Sequence, residues 1–69
     1  MMETDLKKAE DRNLIKYTST DLTNTHGFPL AVFAWGRQIA ILEPGETLTL
    51  TTALEEKAKA HEMSLIWLE

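Results

Sequence analysis

A chain of 69 residues with no cysteine leaves room for one small domain, and it excludes disulfides, iron–sulfur clusters, thiolate zinc sites and cysteine nucleophiles. The formal charge of −4 is spread over both halves, with four Lys/Arg against five Asp/Glu in residues 1–35 and three against six in residues 36–69. Phosphate backbones and anionic membrane surfaces are held by clustered cations, and no cluster here exceeds Lys7-Lys8, so neither nucleic acid nor membrane is an expected partner.

Apolar residues make up 43% of the chain and charged residues 26%, the balance of a globular domain rather than a disordered one. No apolar run reaches the length of a transmembrane helix, and the stretch Met1–Asn13 is too polar for a signal peptide. A reducing, cytoplasmic compartment is the expectation. A domain of this size has little core, so it needs either efficient packing or a partner subunit.

Residues 1–12 are charge-rich, with Met2, Leu6 and Ala9 at i, i+4 and i+7. They read as an arm that is either helical or disordered, leaving residues 13–69 as the folded domain. From Tyr17 to Leu54 the chain turns to strand composition, with eight threonines and only four charged residues, Asp21, Arg37, Glu43 and Glu46. Asn13–Ser19 reads as a first strand. Asp21–Pro29 is dense in Asp, Asn, Gly and Pro and reads as the longest loop. Leu30–Trp35 is a strand apolar on both faces. Gly36-Arg37 suits a two-residue turn with Gly first, and Gln38–Leu42 returns antiparallel.

Glu43-Pro44-Gly45-Glu46 has the grammar of a type II turn, Pro presetting the first central residue and Gly accepting positive φ at the second. Thr47–Thr51 then alternates, Leu48 and Leu50 inward and threonines outward. Thr52-Ala53-Leu54-Glu55 has the spacing of a capping box ahead of a helix over Ala53–Glu62, with Leu54, Ala58 and His61 as its packing face. Ser64–Leu68 reads as a last strand. The strand–helix–strand tail suggests a parallel crossover. The expected fold is therefore α+β: a small mixed sheet with an antiparallel meander over Leu30–Thr51, then a short helix and a C-terminal strand, with a candidate N-terminal helix.

Residues that could carry chemistry are scattered. His26 and His61 lack a ligand spacing between them, and a metal would need Asp21 or Glu62 to join. Ser19 and Ser64 sit in no nucleophile motif. The acidic neighbours Glu55-Glu56 and Asp5/Glu10 fall on solvated helix surface. Gly27, Gly36 and Gly45 each fit a turn, and none opens a phosphate loop. Lys57, Lys59 and His61 form a basic spot that reads as solvated surface. Neither enzyme, metal site nor cofactor is expected.

What stands out is the weight of large apolar groups. Trp35 and Trp67 read as core anchors, yet one short helix cannot cover both faces of strands as apolar as Leu30–Trp35 and Ser64–Leu68. A surface built from Phe33, Trp35 and the Ile66/Trp67 strand is the expected interaction site. Its partner is another protein or a second copy, with a homo-oligomer favoured.

Two resemblances bear on this. The residues Asn24, Gly27, Pro29, Leu30 and Val32, then Gly36, Ile39, Ile41, Leu42, Pro44, Gly45, Glu46, Leu48 and Leu50, are similar in rhythm to small structural accessory proteins of bacteriophages and prophages. That resemblance covers under half the chain and implies a non-catalytic structural component, with a regulatory or inhibitory module binding a host protein as the alternative. Gly27, Pro29, Leu42, Pro44, Gly45 and Glu46 also resemble the spacing of TusA-like sulfur carriers. Phe28 stands where that family has its persulfide cysteine, so sulfur transfer would be lost. The same likeness implies a helix over Pro29–Leu42 in place of the hairpin.

Overall fold

Short runs of alternating side chains build β1 (Met2–Asp5), β2 (Ile15–Tyr17), β3 (Asp21–Asn24), β4 (Leu30–Ala34), β5 (Arg37–Leu42), β6 (Thr47–Thr49) and β7 (Ser64–Trp67), with helices α1 (Leu6–Asp11) and α2 (Thr52–Lys59) between them. The coordinates are a computed structural model that describes residues 2–69; Met1, part of the expected arm, lies outside the described residues. The fold is α+β. One sheet has four strands in the order β1-β7-β4-β5, the other three in the order β2-β3-β6, and every pairing is antiparallel.

The meander is split. β4 and β5 form the expected hairpin, but β6 leaves it and pairs with β3. With β6 in the other sheet, α2 connects two sheets rather than two neighbours, and β7 enters antiparallel between β1 and β4. The expected mixed sheet and parallel crossover therefore do not form. The segment Asp21–Asn24, rich in turn formers, is a strand: Leu22 and Asn24 alternate into the core while Asp21 and Thr23 face outward. Residues 2–5 are neither helical nor disordered. They add β1 to the edge of the four-stranded sheet, and Asp5 then caps α1 by accepting from the Lys8 amide at 2.8 Å.

The β4–β5 hairpin rules out the helix implied for Pro29–Leu42 by the sulfur-carrier likeness. Its turn sits one residue earlier than expected. Trp35 and Gly36 are the central pair, at φ +55° and +70°, and Ala34 faces Arg37. Positive φ at both central residues gives the twist that two-residue hairpins need. A bulge at Val32/Phe33 inserts one extra residue of β5, after which Leu42 lies opposite Leu30 and Ile41 opposite Ala31. The register thus sends Leu42 inward and Ile41 outward, while Ile39 still packs on the core.

The 43–46 turn forms as its sequence dictates, with Gly45 at φ +88° and the Glu46 amide donating to the Glu43 carbonyl at 2.9 Å. The cap of α2 is Thr51 rather than Thr52, its hydroxyl accepting from the Leu54 amide at 3.3 Å. The chain is held extended up to Leu50, whose amide donates to the Thr20 carbonyl at 2.7 Å, so Thr51 is the first residue free to cap. α2 stops at Lys59 rather than Glu62. His61 turns to φ +59°, its amide donating to the Ala58 carbonyl and the Glu62 amide to that of Lys57. Asn13 ends α1 in the same way. These are paired closing bonds around a left-handed residue, the usual alternative to a longer helix.

One core lies between the two layers. Leu30, Val32, Ala34, Leu42, Leu65 and Trp67 from the inner face of the four-stranded sheet meet Leu6, Ala9, Ile15, Leu22, Leu54 and Ala58 from the helices and the smaller sheet. At its centre lies Asn24, 0% exposed. Its amide nitrogen donates to the carbonyls of Phe28 (2.8 Å) and Leu42 (3.0 Å), and its side-chain oxygen accepts from the His26 amide and the Trp67 indole N–H, each at 3.1 Å. Each buried polar group left without its partner costs about 1–3 kcal/mol. Asn24→Ala is therefore expected to lose about 3 kcal/mol of stability, a large share of the total for so small a domain. Asn24→Asp, nearly the same shape, points an oxygen at two carbonyls and is expected to be at least as damaging. Denaturant unfolding followed by tryptophan fluorescence measures both; an Asn24→Asp variant within about 1 kcal/mol of the parent would refute the role.

Candidate functional site

Strand pairing decides which side chains share a face. Across the four-stranded sheet, Met2, Trp67, Leu30 and Leu42 form one row, and Thr4, Leu65, Val32 and Ala40 another; these rows face the core. The alternate rows are Glu3, Ile66, Ala31 and Ile41, and Asp5, Ser64, Phe33 and Gln38. They lie on the outer face. Phe33, Ile41 and Ile66 take no part in the core cluster, because both helices and the smaller sheet pack on the opposite side.

The outer face is apolar at its centre. Ala31 is 1% exposed although nothing from the second layer reaches it; its larger neighbours Ile41, Ile66 and Phe33 stand around it. Ile41 is 48% exposed. Beside them a shallow depression of about 280 Å³ is lined by Glu3, Phe33, Ala34, Gly36, Glu62, Ser64 and Ile66. Beyond it, at the hairpin tip, Trp35 is 46% exposed. The Lys57 ammonium lies 5.8 Å from the centre of its ring and is bridged in turn to Glu62 at 2.6 Å.

Of the four residues expected to form an interaction surface, the structure brings three to one side of the molecule. Phe33 and Ile66 lie on the outer face and Trp35 at its rim. Trp67 does not belong with them. One residue past Ile66, it points to the opposite face and is wholly buried, its indole N–H bound to Asn24 and its ring met edge-on by His26 at 5.9 Å. Trp35 in turn is no core anchor, since the turn carries it out of the strand. Ala31 and Ile41 complete the face. Their alternation with Val32 and Leu42 is visible in the sequence, but which alternate set faces out depends on the bulge.

Asp21, His26 and His61 are not drawn together. Asp21 stays on β3 beside the Thr20 hydroxyl (3.4 Å), His26 stacks on Phe28 with ring centres 5.4 Å apart, and His61 closes α2. Among the described residues, no three His, Asp or Glu side chains are close enough to share a metal ion. Among the described residues, no helix is long and apolar enough to cross a membrane. Comparison with known families, curated proteins and solved structures finds no match to this chain.

A bulky residue held at positive φ is strained by about 1–2 kcal/mol, and such strain concentrates where a side chain has work to do. Here it presents a tryptophan to solvent. Asn is the best-suited partner for a following Gly in this turn and a β-branched residue the worst. Trp35→Asn and Trp35→Val lose the same ring contact with Lys57, so their difference reports the backbone alone. Trp35→Asn is expected to be the more stable by about 1–2 kcal/mol in thermal or denaturant unfolding. Equal stabilities would show that the turn is not held in this conformation.

Proposed function

We propose that this protein is a non-catalytic protein–protein interaction module whose docking face is the outer face of the four-stranded sheet, and that a second copy of the chain is its partner. The observation that carries the reading is the uncovered apolar row of Ile66, Ala31 and Ile41 with Phe33 beside it. Two-layer domains bury one side of each sheet, and an antiparallel sheet left open is normally polar on its free side. This one is not. Ile66 and Ile41 close over Ala31 between them, and a two-fold axis can lay this row of each copy against the same row of the other. Mutual burial of that row also offsets the thin core of so short a chain.

The acidic balance of the chain sets the salt dependence. Copies that each carry −4 repel one another at low ionic strength, so association is expected to tighten as salt screens the repulsion. Sedimentation velocity at micromolar concentration reads the outcome. The parent chain is expected to run as a dimer or in exchange with one. Phe33→Ser combined with Ile66→Thr should return a monomer of 7.8 kDa with unchanged secondary structure. A parent chain that stays monomeric across the concentration and salt series would overturn self-association.

A further inference from the structure

On the opposite layer, α1, β2 and the end of α2 line a groove of about 270 Å³ formed by Leu6, Lys7, Glu10, Tyr17, Ala58, Lys59 and His61. We propose that this groove binds a small organic acid: a carboxylate carried on one aromatic or short aliphatic body.

The floor is apolar. Leu6 from α1 and Ala58 from α2 are both core residues, and half-buried Tyr17 from β2 also lines the groove, so a hydrophobic body of the ligand has apolar surface to lie against and leaves water behind. The rim is cationic. Lys59 and His61, a basic spot on one helix in the sequence, are joined here by Lys7 from the other helix, 52 residues away in the chain. Lys57, the third member of that spot, turns away to bridge Glu62. Neither Lys7 nor Lys59 forms an ion pair among the described residues.

A carboxylate has two oxygens with several acceptor sites, and the rim offers matching donors: two ammonium groups, the Tyr17 hydroxyl and at least one imidazole N–H. His61 owes its place to the left-handed turn at φ +59°, which swings it off the helix. Glu10 is the one acid of the lining, so the rim favours an anion and disfavours a cation. The volume sets the size. It falls just below the usual range of about 300–1,000 Å³ for ligand pockets, enough for one fused ring pair and too little for a nucleotide.

The proposal is tested with sodium 1-naphthoate as the anionic probe and 1-naphthamide as its neutral counterpart of the same shape, followed by amide chemical shifts of the full chain. Naphthoate is expected to give saturable shifts at Leu6, Tyr17, Ala58 and His61, with naphthamide weaker by about tenfold or more. The double variant Lys7→Glu/Lys59→Glu, both sites exposed and outside the core, should fold as the parent does and lose naphthoate binding by a similar factor. Tyr17→Phe should weaken it less. Equal binding of the neutral probe, shifts that fall on Phe33 and Ile66 instead, or no saturation at millimolar naphthoate would each overturn it.

Discussion

The side chain of Asn24 reaches from the smaller sheet to the larger one, and its hydrogen bonds tie the loop after β3 to β5 and β7. It belongs to β3 in the smaller sheet, yet it binds the Leu42 carbonyl at the end of β5 and the Trp67 indole on β7 in the larger one. Its backbone adds the Glu46 carbonyl and the Gly45 amide of the type II turn, at 3.0 and 2.7 Å. A buried amide has no alternative partner, so a slip of any of these elements would strand donors or acceptors in the core. Apolar packing tolerates small shifts of register, and this arrangement of hydrogen bonds does not. It fixes which face of β5 and β7 turns inward.

Once that is fixed, the uneven covering of the molecule follows. Trp67, tied to Asn24, must lie inside, so its neighbour Ile66 must lie outside with Ala31 and Ile41. Both helices and the smaller sheet are used on the inner side, and among the described residues no further element covers the outer one. The apolar centre of the outer face is thus a consequence of topology acting on strands that are apolar on both faces. On the helical side, α1 and the end of α2 line one groove, each contributing a lysine.

The turns that bend the chain back are of two kinds. Gly45 occupies its left-handed position at little steric cost, as the Pro-Gly sequence announces. Asn13, Trp35 and His61 do not; they hold positive φ with full side chains. Asparagine and histidine are the more tolerant of that region, and tryptophan is not. The strain at Trp35 is supported by the hairpin it closes and by the Lys57–Glu62 pair beneath the ring. An aromatic group is thereby kept at the rim of the open face rather than folded onto the core.

The amino-acid sequence by itself determined what depends on neighbours along the chain. The type II turn at 43–46, the helix after the threonines, the β4–β5 hairpin and the last strand are all legible, because each is specified by a local φ preference or a short periodicity. That the strands are apolar on both faces was also legible, and Phe33, Ile66 and Ile41 do lie on the face away from the core. Tertiary structure decided the rest. Asn24 reads as a turn former because its isolated preference is for turns; only the carbonyls and indole of distant strands make it a buried connector. Alternation places Ile66 and Trp67 on opposite faces without saying which is inside. Two adjacent threonines both suit a cap, and the ladder of β3 with β6 chose between them. Lys7 and Lys59 share a groove only because the tertiary fold brings α1 and the end of α2 to the same side of the molecule. Each of these outcomes rests on contacts between residues far apart in the chain, and local preferences carry no record of them.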